Sequence, residues 1–325
     1  MLTKASFSLV LMLIAQSAVA EIANTDSFNQ FVRQMTAKHR FNEAELRGLF
    51  QAVNIQQPIL DAMSKPAEAK PWHQYRDIFM TEARIAGGVE FWRANRAALI
   101  AVERQYGVPA EIVVAIIGVE TKYGAHTGKY RVIDALATLG FAYPPRSDFF
   151  LKELENFLVL CRQEQLDPLQ PMGSYAGAMG FPQFMPSSYL AYAKDFDLDH
   201  KRDIWRNPVD AIASVGNYFA ANGWRRGGAI VFQVAANGES YRQALSKGVK
   251  PDSTVGQLRR LQVKTPTMLA DSESAKLLSY PLLDHEELWL GLHNFYVITR
   301  YNHSPLYAMA VFQLSQAIKA GVGQP

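Results

Sequence analysis

The stretch Ile112-Val-Val-Ala-Ile-Ile-Gly-Val-Glu120-Thr-Lys-Tyr-Gly124 is apolar at almost every position before its single carboxylate. Pro109 suits the first position of a helix and Gly124 lies just beyond its end, so we expect a helix that ends near Tyr123. A helix that is apolar on nearly every face belongs in a protein core. The segment therefore predicts a helix buried in the core of a mainly α-helical protein.

Glu120 ends an apolar stripe on this helix, because Val113, Ile116, Ile117 and Glu120 are spaced as i, i+3, i+4 and i+7. Burial and the nearby helix C-terminus both disfavour the carboxylate, so both raise its pKa. A carboxyl group that stays protonated near neutral pH can donate a proton to a leaving oxygen, as in glycosidases. The same pattern also fits a buried Glu that pairs with Arg or Lys for a structural purpose.

A glycosidase normally needs a second carboxylate. The nearby acids are Glu103, Glu111, Asp134 and Asp148, and each fits a capping or surface position. Glu111 falls in the first turn of the helix, where an acid suits the dipole, and we expect it to face solvent. With no clear partner for Glu120, a hydroxyl or amide of the substrate would have to capture the oxocarbenium ion.

The composition and the N-terminal sequence predict the cellular location of the protein and exclude some classes of partner. Residues 1–20 resemble a secretory signal peptide, with Lys4, a short apolar stretch and the cleavage site Ala18-Val-Ala20. The signal peptide predicts an exported periplasmic protein, and Glu at position 21 predicts that it has no lipid-anchor cysteine. No later segment is apolar enough to span a membrane. The net charge of +3 is spread along the chain, which argues against nucleic acid as a partner. The single Cys161 excludes an internal disulfide and is expected to be buried.

The pattern along the chain predicts several parts: a signal peptide over residues 1–20, an N-terminal helical domain over 21–104, a catalytic core over 105–224, a small mixed α/β insert over 225–290, and a C-terminal segment over 291–325 that returns to the active site and closes with a helix. Within them, Gly87-Gly88 is expected to separate two helices. Phe295 to Tyr301 is expected to be irregular or extended.

Several separated motifs resemble the lytic murein transglycosylases of the B type, glycoside hydrolase family 103. They are Ile117-Gly-Val-Glu-Thr-Lys-Tyr-Gly124, the Gly-rich loop Ser174 to Tyr189 around Gln183, Asn207 to Phe219, and Asn294 to Ser304. They appear in the family's order over about residues 30–320. The resemblance implies a lysozyme-like helical core with an additional helical domain and a small β-containing insert.

The resemblance also implies non-hydrolytic cleavage of the β-1,4 bond between N-acetylmuramic acid and N-acetylglucosamine in peptidoglycan glycan strands. The C6 hydroxyl of muramic acid then forms a 1,6-anhydro end, and no cofactor is required for the chemistry. Glu120 would act first as general acid and then as base. Matched motif positions imply that Ser174, Gln183, Tyr218, Asn302 and Tyr307 bind substrate near it.

Metal binding and two further functions stay open. Asp195, Asp197 and Asp199 have EF-hand-like spacing, and family members can carry calcium here. His200 and Arg206 depart from the pattern, so the remaining ligands would be the Lys201 carbonyl and Asp210; alternatively, Lys201 and Arg202 neutralise the acids. A hydrolytic muramidase or a non-catalytic peptidoglycan-binding protein is the alternative function, and partners in cell-wall synthesis or division are unknown.

Overall fold

The computed structural model describes residues 25–64 and 70–323, which fall into two compact units. The first unit takes the described residues of 1–67 and 126–207, and the second those of 68–125 and 208–325. The chain therefore leaves the first unit and returns to it. The predicted signal peptide lies outside the described residues, and the predicted domain limits stay a prediction.

The first unit is helical. Its helices are α1 (Asp26–His39), α2 (Glu43–Phe50), α3 (Gln57–Ser64), α8 (Val132–Ala142), α9 (Ser147–Gln163) and α10 (Pro186–Tyr192), with a two-stranded antiparallel pair β1 (Tyr130–Arg131) and β2 (Met172–Gly173). Helix α9 packs on α8, α10 and α1, and its apolar face includes the buried thiol of Cys161, as predicted. The Asn42 side chain caps α2 by accepting from the backbone N–H of Glu45.

The second unit joins a helical group to a small sheet. Its helices are α4 (Trp72–Phe79), α5 (Glu82–Ala94), α6 (Arg96–Tyr106), α7 (Ala110–Thr121), α11 (Pro208–Ala221), α12 (Val255–Arg260), α13 (His293–Ile298) and α14 (Pro305–Val322). Helix α14 packs on α7, α5 and α4. This packing helps to bury most of α7, whose residues 110–118 are all buried.

An antiparallel sheet of five strands completes the second unit, in the order β4-β6-β7-β3-β5. The strands are β3 (Val231–Ala236), β4 (Ser253–Thr254), β5 (Val263–Lys264), β6 (Ser274–Pro281) and β7 (Glu286–Gly291). Leu277 of β6 is opposite Leu290 of β7, and both are buried in the apolar cluster of this sheet. A mainly α protein with a small β-containing part is thus confirmed.

Two local predictions were wrong. Gly87-Gly88 does not separate two helices, because both residues lie inside the continuous helix α5. Residues 295–298, expected to be irregular, belong to α13, where Phe295, Val297 and Ile298 are buried. A short helix stabilised by burial carries too little periodicity to be recognised from sequence.

Within the described residues, no helix combines the length and the apolar character that a membrane crossing requires.

Candidate active site

Helix α7 presents Glu120 from its last turn. The helix begins after Pro109 and ends at Thr121, and Lys122 follows in the left-handed conformation. Residues 110–118 are buried, whereas Val119 and Glu120 are partly exposed. The sequence thus places one carboxyl group at the point where a buried helix reaches the surface.

Burial raises the pKa of Glu120 to about 7, against an ordinary value of 4.5, and a hydrogen bond from Tyr307 works in the opposite direction. The Tyr307 hydroxyl donates to Glu120 Oε1 over 2.6 Å. With this pKa, both the acid and the carboxylate are populated near neutral pH. The group can therefore donate a proton and take one back in a single cycle.

Tyr307 is held in place by the start of α14. Ser304 caps this helix by accepting from the Tyr307 backbone N–H, and Pro305 takes its first position. The Tyr307 side chain is buried, and its ring lies parallel to that of Tyr301 with 6.4 Å between ring centroids. Burial and the charge of Glu120 raise the pKa of Tyr307 well above its usual range, so its hydroxyl keeps its proton and remains a donor.

Tyr218 of α11 extends the aromatic group next to Tyr301, with ring centroids 4.8 Å apart. Its hydroxyl donates to the backbone carbonyl of Arg300 over 2.6 Å. Asn302 follows in the exposed segment between α13 and α14. Glu120 is thus bonded directly to Tyr307, and a chain of ring contacts leads from Tyr307 through Tyr301 to Tyr218. Asn302 lies one residue beyond Tyr301 in an exposed position.

Sequence reasoning missed Tyr75 and Tyr301. Burial raises the pKa of Tyr75, and the charge of Glu120 raises it further, which puts this α4 residue in the surroundings of the carboxyl group. The same two causes act on Tyr301. Tyr75 lies in a segment rich in aromatic residues, and no pattern there separates a site tyrosine from a core tyrosine.

Ser174 and Gln183 belong to the first unit, in the irregular Gly-rich loop. The Ser174 hydroxyl oxygen accepts from the backbone N–H groups of Ala176 and Ala178, at 3.3 and 3.0 Å. The Gln183 amide donates to the carbonyls of Gly180 and Thr127, at 2.9 and 3.2 Å. Among the described residues, none accepts the Ser174 hydroxyl hydrogen or donates to the Gln183 side-chain oxygen, so each keeps one hydrogen-bonding group available.

The acidic loop gathers three carboxylates. Oxygens of Asp195, Asp197 and Asp199 lie within 4.8 Å of one another. Asp195 accepts from the backbone N–H groups of Asp199 and His200, at 3.1 and 2.9 Å. His200 has a φ of 68°, so it adopts the left-handed conformation for which glycine is preferred at this position of an EF-hand loop.

The remaining proposed ligands differ in their surroundings. The Lys201 backbone N–H donates to Asp199 over 2.9 Å. Asp210 is fully buried in the first turn of α11, in the second unit, where a negative charge suits the helix dipole. Arg202 does not neutralise the acidic loop, because its guanidinium binds Glu164. That part of the alternative interpretation was wrong.

Glu111 also corrects an expectation. It does not face solvent: it is 8% exposed, and Lys319 of α14 donates to its Oε1 over 2.7 Å. Helix α14 thus contacts α7 through polar bonds at both ends of α7, to Glu111 near the start and to Glu120 near the finish.

Comparison with known proteins extends these findings. A family model described as the transglycosylase SLT domain matches residues 23–316. The chain is 43% identical over 308 residues to the membrane-bound lytic murein transglycosylase B of Escherichia coli K12, covering 92% of this chain and 84% of that protein.

Crystal structures of other lytic transglycosylases share the fold. The soluble lytic transglycosylase SltB1 from Pseudomonas aeruginosa is 50% identical with a TM-score of 0.88, covering 93% of this chain and 99% of that one. Escherichia coli lytic transglycosylase Slt35 in complex with calcium is 42% identical with a TM-score of 0.86, covering 93% and 95%. The resemblance expected from the sequence motifs is confirmed, and the chain belongs to the transglycosylase SLT family of lytic murein transglycosylases, enzymes that act on peptidoglycan.

Proposed function

We propose that, of the carboxyl groups in the described residues, Glu120 alone takes part in the chemistry of this lytic transglycosylase, first as acid and then as base. The observation that carries the proposal is a partly exposed carboxyl whose pKa is raised to about 7 and whose Oε1 accepts a hydrogen bond from Tyr307. Both protonation states are accessible near neutral pH, as the two roles require.

The reaction proceeds by proton exchange at Glu120. Its acid form protonates the glycosidic oxygen as the bond from that oxygen to C1 of N-acetylmuramic acid breaks, which leaves N-acetylglucosamine with a free hydroxyl. The carboxylate then takes the proton of the muramic acid C6 hydroxyl as that oxygen bonds to C1. The 1,6-anhydro end forms, no water is consumed, and Glu120 returns to its acid form.

A single carboxyl group suffices because the nucleophile belongs to the substrate. Glu111, the other acid of α7, is engaged by Lys319. The pKa of Glu120 is set by burial and Tyr307, and no second carboxylate among the described residues contributes to it. A pair of close carboxylates would instead have displaced one pKa strongly through like-charge repulsion.

The remaining site residues bind and orient the sugars in this proposal. Ser174 donates through its free hydroxyl hydrogen, and Gln183 accepts an acetamide N–H through its free side-chain oxygen. Asn302 supplies an exposed amide, and the buried Tyr218 supports the site through the contact of its ring with Tyr301. Tyr307 orients the catalytic carboxyl group.

We further propose that the acidic loop holds a structural calcium ion. Asp195, Asp197 and Asp199 supply three convergent oxygens, a donor type that calcium prefers, and the left-handed backbone of His200 permits the tight turn. The Lys201 carbonyl is the further ligand proposed within the same unit. The ion would stabilise the loop and take no part in the proton transfers.

The cellular setting follows from the substrate and the N-terminal sequence. Peptidoglycan glycan strands are the proposed partner, and export through residues 1–20 to the periplasm brings the enzyme to them.

Digestion of purified sacculi by the pure protein and by Glu120→Gln tests the mechanism. The wild type is expected to release muropeptides with 1,6-anhydro ends in mass spectra, and Glu120→Gln to release almost none, because an amide cannot donate the proton. Products that have gained water would instead indicate hydrolysis. Unchanged lysis by Glu120→Gln would remove Glu120 from the chemistry.

A further inference from the structure

The turn that follows Glu120 has an unusual backbone. Lys122, Tyr123 and Gly124 have φ values of 49°, 60° and 93°, so three successive residues are left-handed and two of them carry a Cβ atom. Such a backbone is unfavourable for residues other than glycine and persists only where surrounding contacts impose it. Something other than local preference therefore holds the chain directly after the carboxyl group.

Tyr123 provides one of these contacts by placing its ring against three glycines. A Cβ atom on Gly118 of α7 or on Gly88 of α5 would lie 2.6 Å from the Tyr123 hydroxyl oxygen, and one on Gly87 would lie 3.1 Å from the ring. The ring also lies 5.7 Å from that of Phe91. At Gly118 and Gly88 only a residue without a side chain leaves room for the ring, and at Gly87 a Cβ atom would crowd it.

Arg84 provides the second contact, because it bonds to both sides of the turn. Its backbone carbonyl accepts from the Tyr123 hydroxyl over 2.7 Å, and its guanidinium donates to the carbonyl of Gly118. The same Gly118 carbonyl accepts from the Lys122 backbone N–H over 3.1 Å. Arg84 thus bonds to the last turn of α7 two residues before Glu120.

Arg84 is buried, and the desolvation of its guanidinium opposes folding. The residue is 8% exposed, its guanidinium lies 5.3 Å from the Phe79 ring, and its Nε has no hydrogen-bond partner among the described residues. The described residues also give it no ion-pair partner. A buried cation without a carboxylate carries a desolvation cost that a purely structural role does not readily explain.

From this geometry we propose that Arg84 and Tyr123 are positioning residues for catalysis: they form a clasp that fixes the last turn of α7 and so the direction of the Glu120 carboxyl group. The inference depends on the proposed role of Glu120. Helix ends otherwise fray, and a shift of about 1 Å in a reacting group can cost roughly a hundredfold in rate. The clasp acts on the turnover step and leaves sugar binding largely unchanged.

The first experiment compares Tyr123→Phe with Tyr189→Phe, using kcat and KM on purified glycan strands and the melting temperature. Each variant loses one hydroxyl that donates over 2.7 Å to a backbone carbonyl, but Tyr189 bonds to Arg202 in the first unit. Both are expected to fold and to melt slightly earlier. Tyr123→Phe is expected to lower kcat about tenfold or more with KM changed less than about twofold, whereas Tyr189→Phe keeps both values.

A second experiment replaces Arg84 by Lys and by Met. Lys keeps a donor that can reach the Gly118 carbonyl, and Met keeps only the length of the side chain. We expect kcat to decrease in the order wild type, Arg84→Lys, Arg84→Met, again at nearly constant KM. Equal kcat values for the two variants would overturn the role of Arg84.

Glu120→Gln distinguishes the catalytic role of Glu120 from the positioning role of the clasp. If Glu120→Gln is inactive while Tyr123→Phe behaves like Tyr189→Phe, the clasp has no positioning role and the catalytic assignment survives. If Glu120→Gln remains active, the catalytic assignment fails, and the clasp inference fails with it.

Discussion

At the scale of the residue, the behaviour of Glu120 rests on a balance between burial and one hydrogen bond. Burial favours the acid, and the Tyr307 hydroxyl favours the carboxylate, to which it donates over 2.6 Å. The balance leaves a pKa of about 7. Activity should therefore decline as pH rises through about 7, because the fraction of enzyme that can protonate the glycosidic oxygen decreases.

Removing the Tyr307 hydroxyl should move that decline. Tyr307→Phe keeps the ring stacked on Tyr301 and deletes the hydrogen bond that favours the carboxylate, so the pKa of Glu120 should rise. The basic limb of the kcat/KM profile is expected to shift to higher pH, while kcat falls because the carboxyl group loses its orientation. Tyr189→Phe serves as the control. A basic limb that stays in place would contradict this account of the pKa.

The same raised pKa predicts a trade-off between stability and activity. An unfolded Glu ionises near 4.5 but Glu120 in the folded protein near 7, so the folded state binds the extra proton between these values. Stability is therefore lost as pH rises from about 4.5 to about 7 and stays lower above it. Glu120→Gln avoids this cost and should unfold later in urea at pH 8, by up to roughly 3 kcal/mol, with little difference at pH 4. A difference that does not depend on pH would argue against the raised pKa.

Local patterns predicted the chemical state of Glu120, whereas only the resemblance to the family named Tyr307 as a residue near it. The apolar stripe and the helix C-terminus both indicated a raised pKa, and both are local properties of α7. Tyr307 lies 187 residues further along the chain. Its contact depends on how α14 packs on α7, which no local pattern encodes.

At the scale of the element, Glu155 links helices α1 and α9 in the first unit. Its side chain is 2% exposed and accepts from Lys38, His39 and Lys152 at 2.7–2.8 Å. Burial alone would raise its pKa, but the hydrogen bonds from the three neighbours outweigh it and lower the pKa to about 2. The ionised form is thus strongly favoured in the folded state.

Glu155→Gln should accordingly destabilise the protein at pH 7. The full shift corresponds to roughly 3 kcal/mol, and we expect about 1 to 2 kcal/mol because Lys38 and Lys152 are half-exposed and screened. This contribution is present above about pH 4.5 and is lost as pH falls through about 2, so the difference from wild type should shrink in acid. Urea unfolding of the wild type and of Glu155→Gln, at pH 7 and in acid, measures this difference in the free energy of unfolding.

Glu43→Gln is the matched control for that experiment. Glu43 pairs with Arg47 on the exposed face of α2, and its removal should cost less than about 0.5 kcal/mol at either pH. An equal effect of the two variants would show that the buried position of Glu155 adds nothing.

The elements also show where pattern reasoning fails. Gly87-Gly88 looks like a helix break, since glycine weakens a helix by about 1 kcal/mol. In α5 the two glycines instead make room for the Tyr123 ring, so a tertiary contact explains them. The capping of α2 by Asn42 was predictable because its signal is contained within four residues.

At the scale of the whole molecule, each unit is assembled from two separate stretches of chain. Glu120 lies in one unit, and Ser174 and Gln183 in the other. Composition and periodicity indicate helices and a small sheet, but not which distant stretches join. Motifs spread along the chain therefore supplied what local patterns could not, because a resemblance over the whole length carries the long-range arrangement with it.

The acidic loop gives a prediction at this same scale, because an ion that binds only the folded state stabilises the entire chain. Calcium at a hundred times its dissociation constant would add about 2.7 kcal/mol, so the melting temperature should rise by a few degrees on addition of millimolar calcium. Magnesium should give a smaller shift, since it requires stricter octahedral geometry. Differential scanning fluorimetry with each ion tests this.

Asp197→Asn removes one charged ligand while its side chain can still accept from Asn207, as Asp197 does over 2.9 Å. It should abolish most of the calcium shift and alter the melting temperature without calcium only slightly. Asp167→Asn is the matched control: this exposed aspartate accepts from the backbone of Leu169 in a similar turn, apart from the cluster of three acids. The shift should survive in that variant. Absence of any shift in the wild type would exclude calcium from the loop. A full shift in Asp197→Asn would exclude it as well, because calcium bound by three convergent carboxylates depends on their charge.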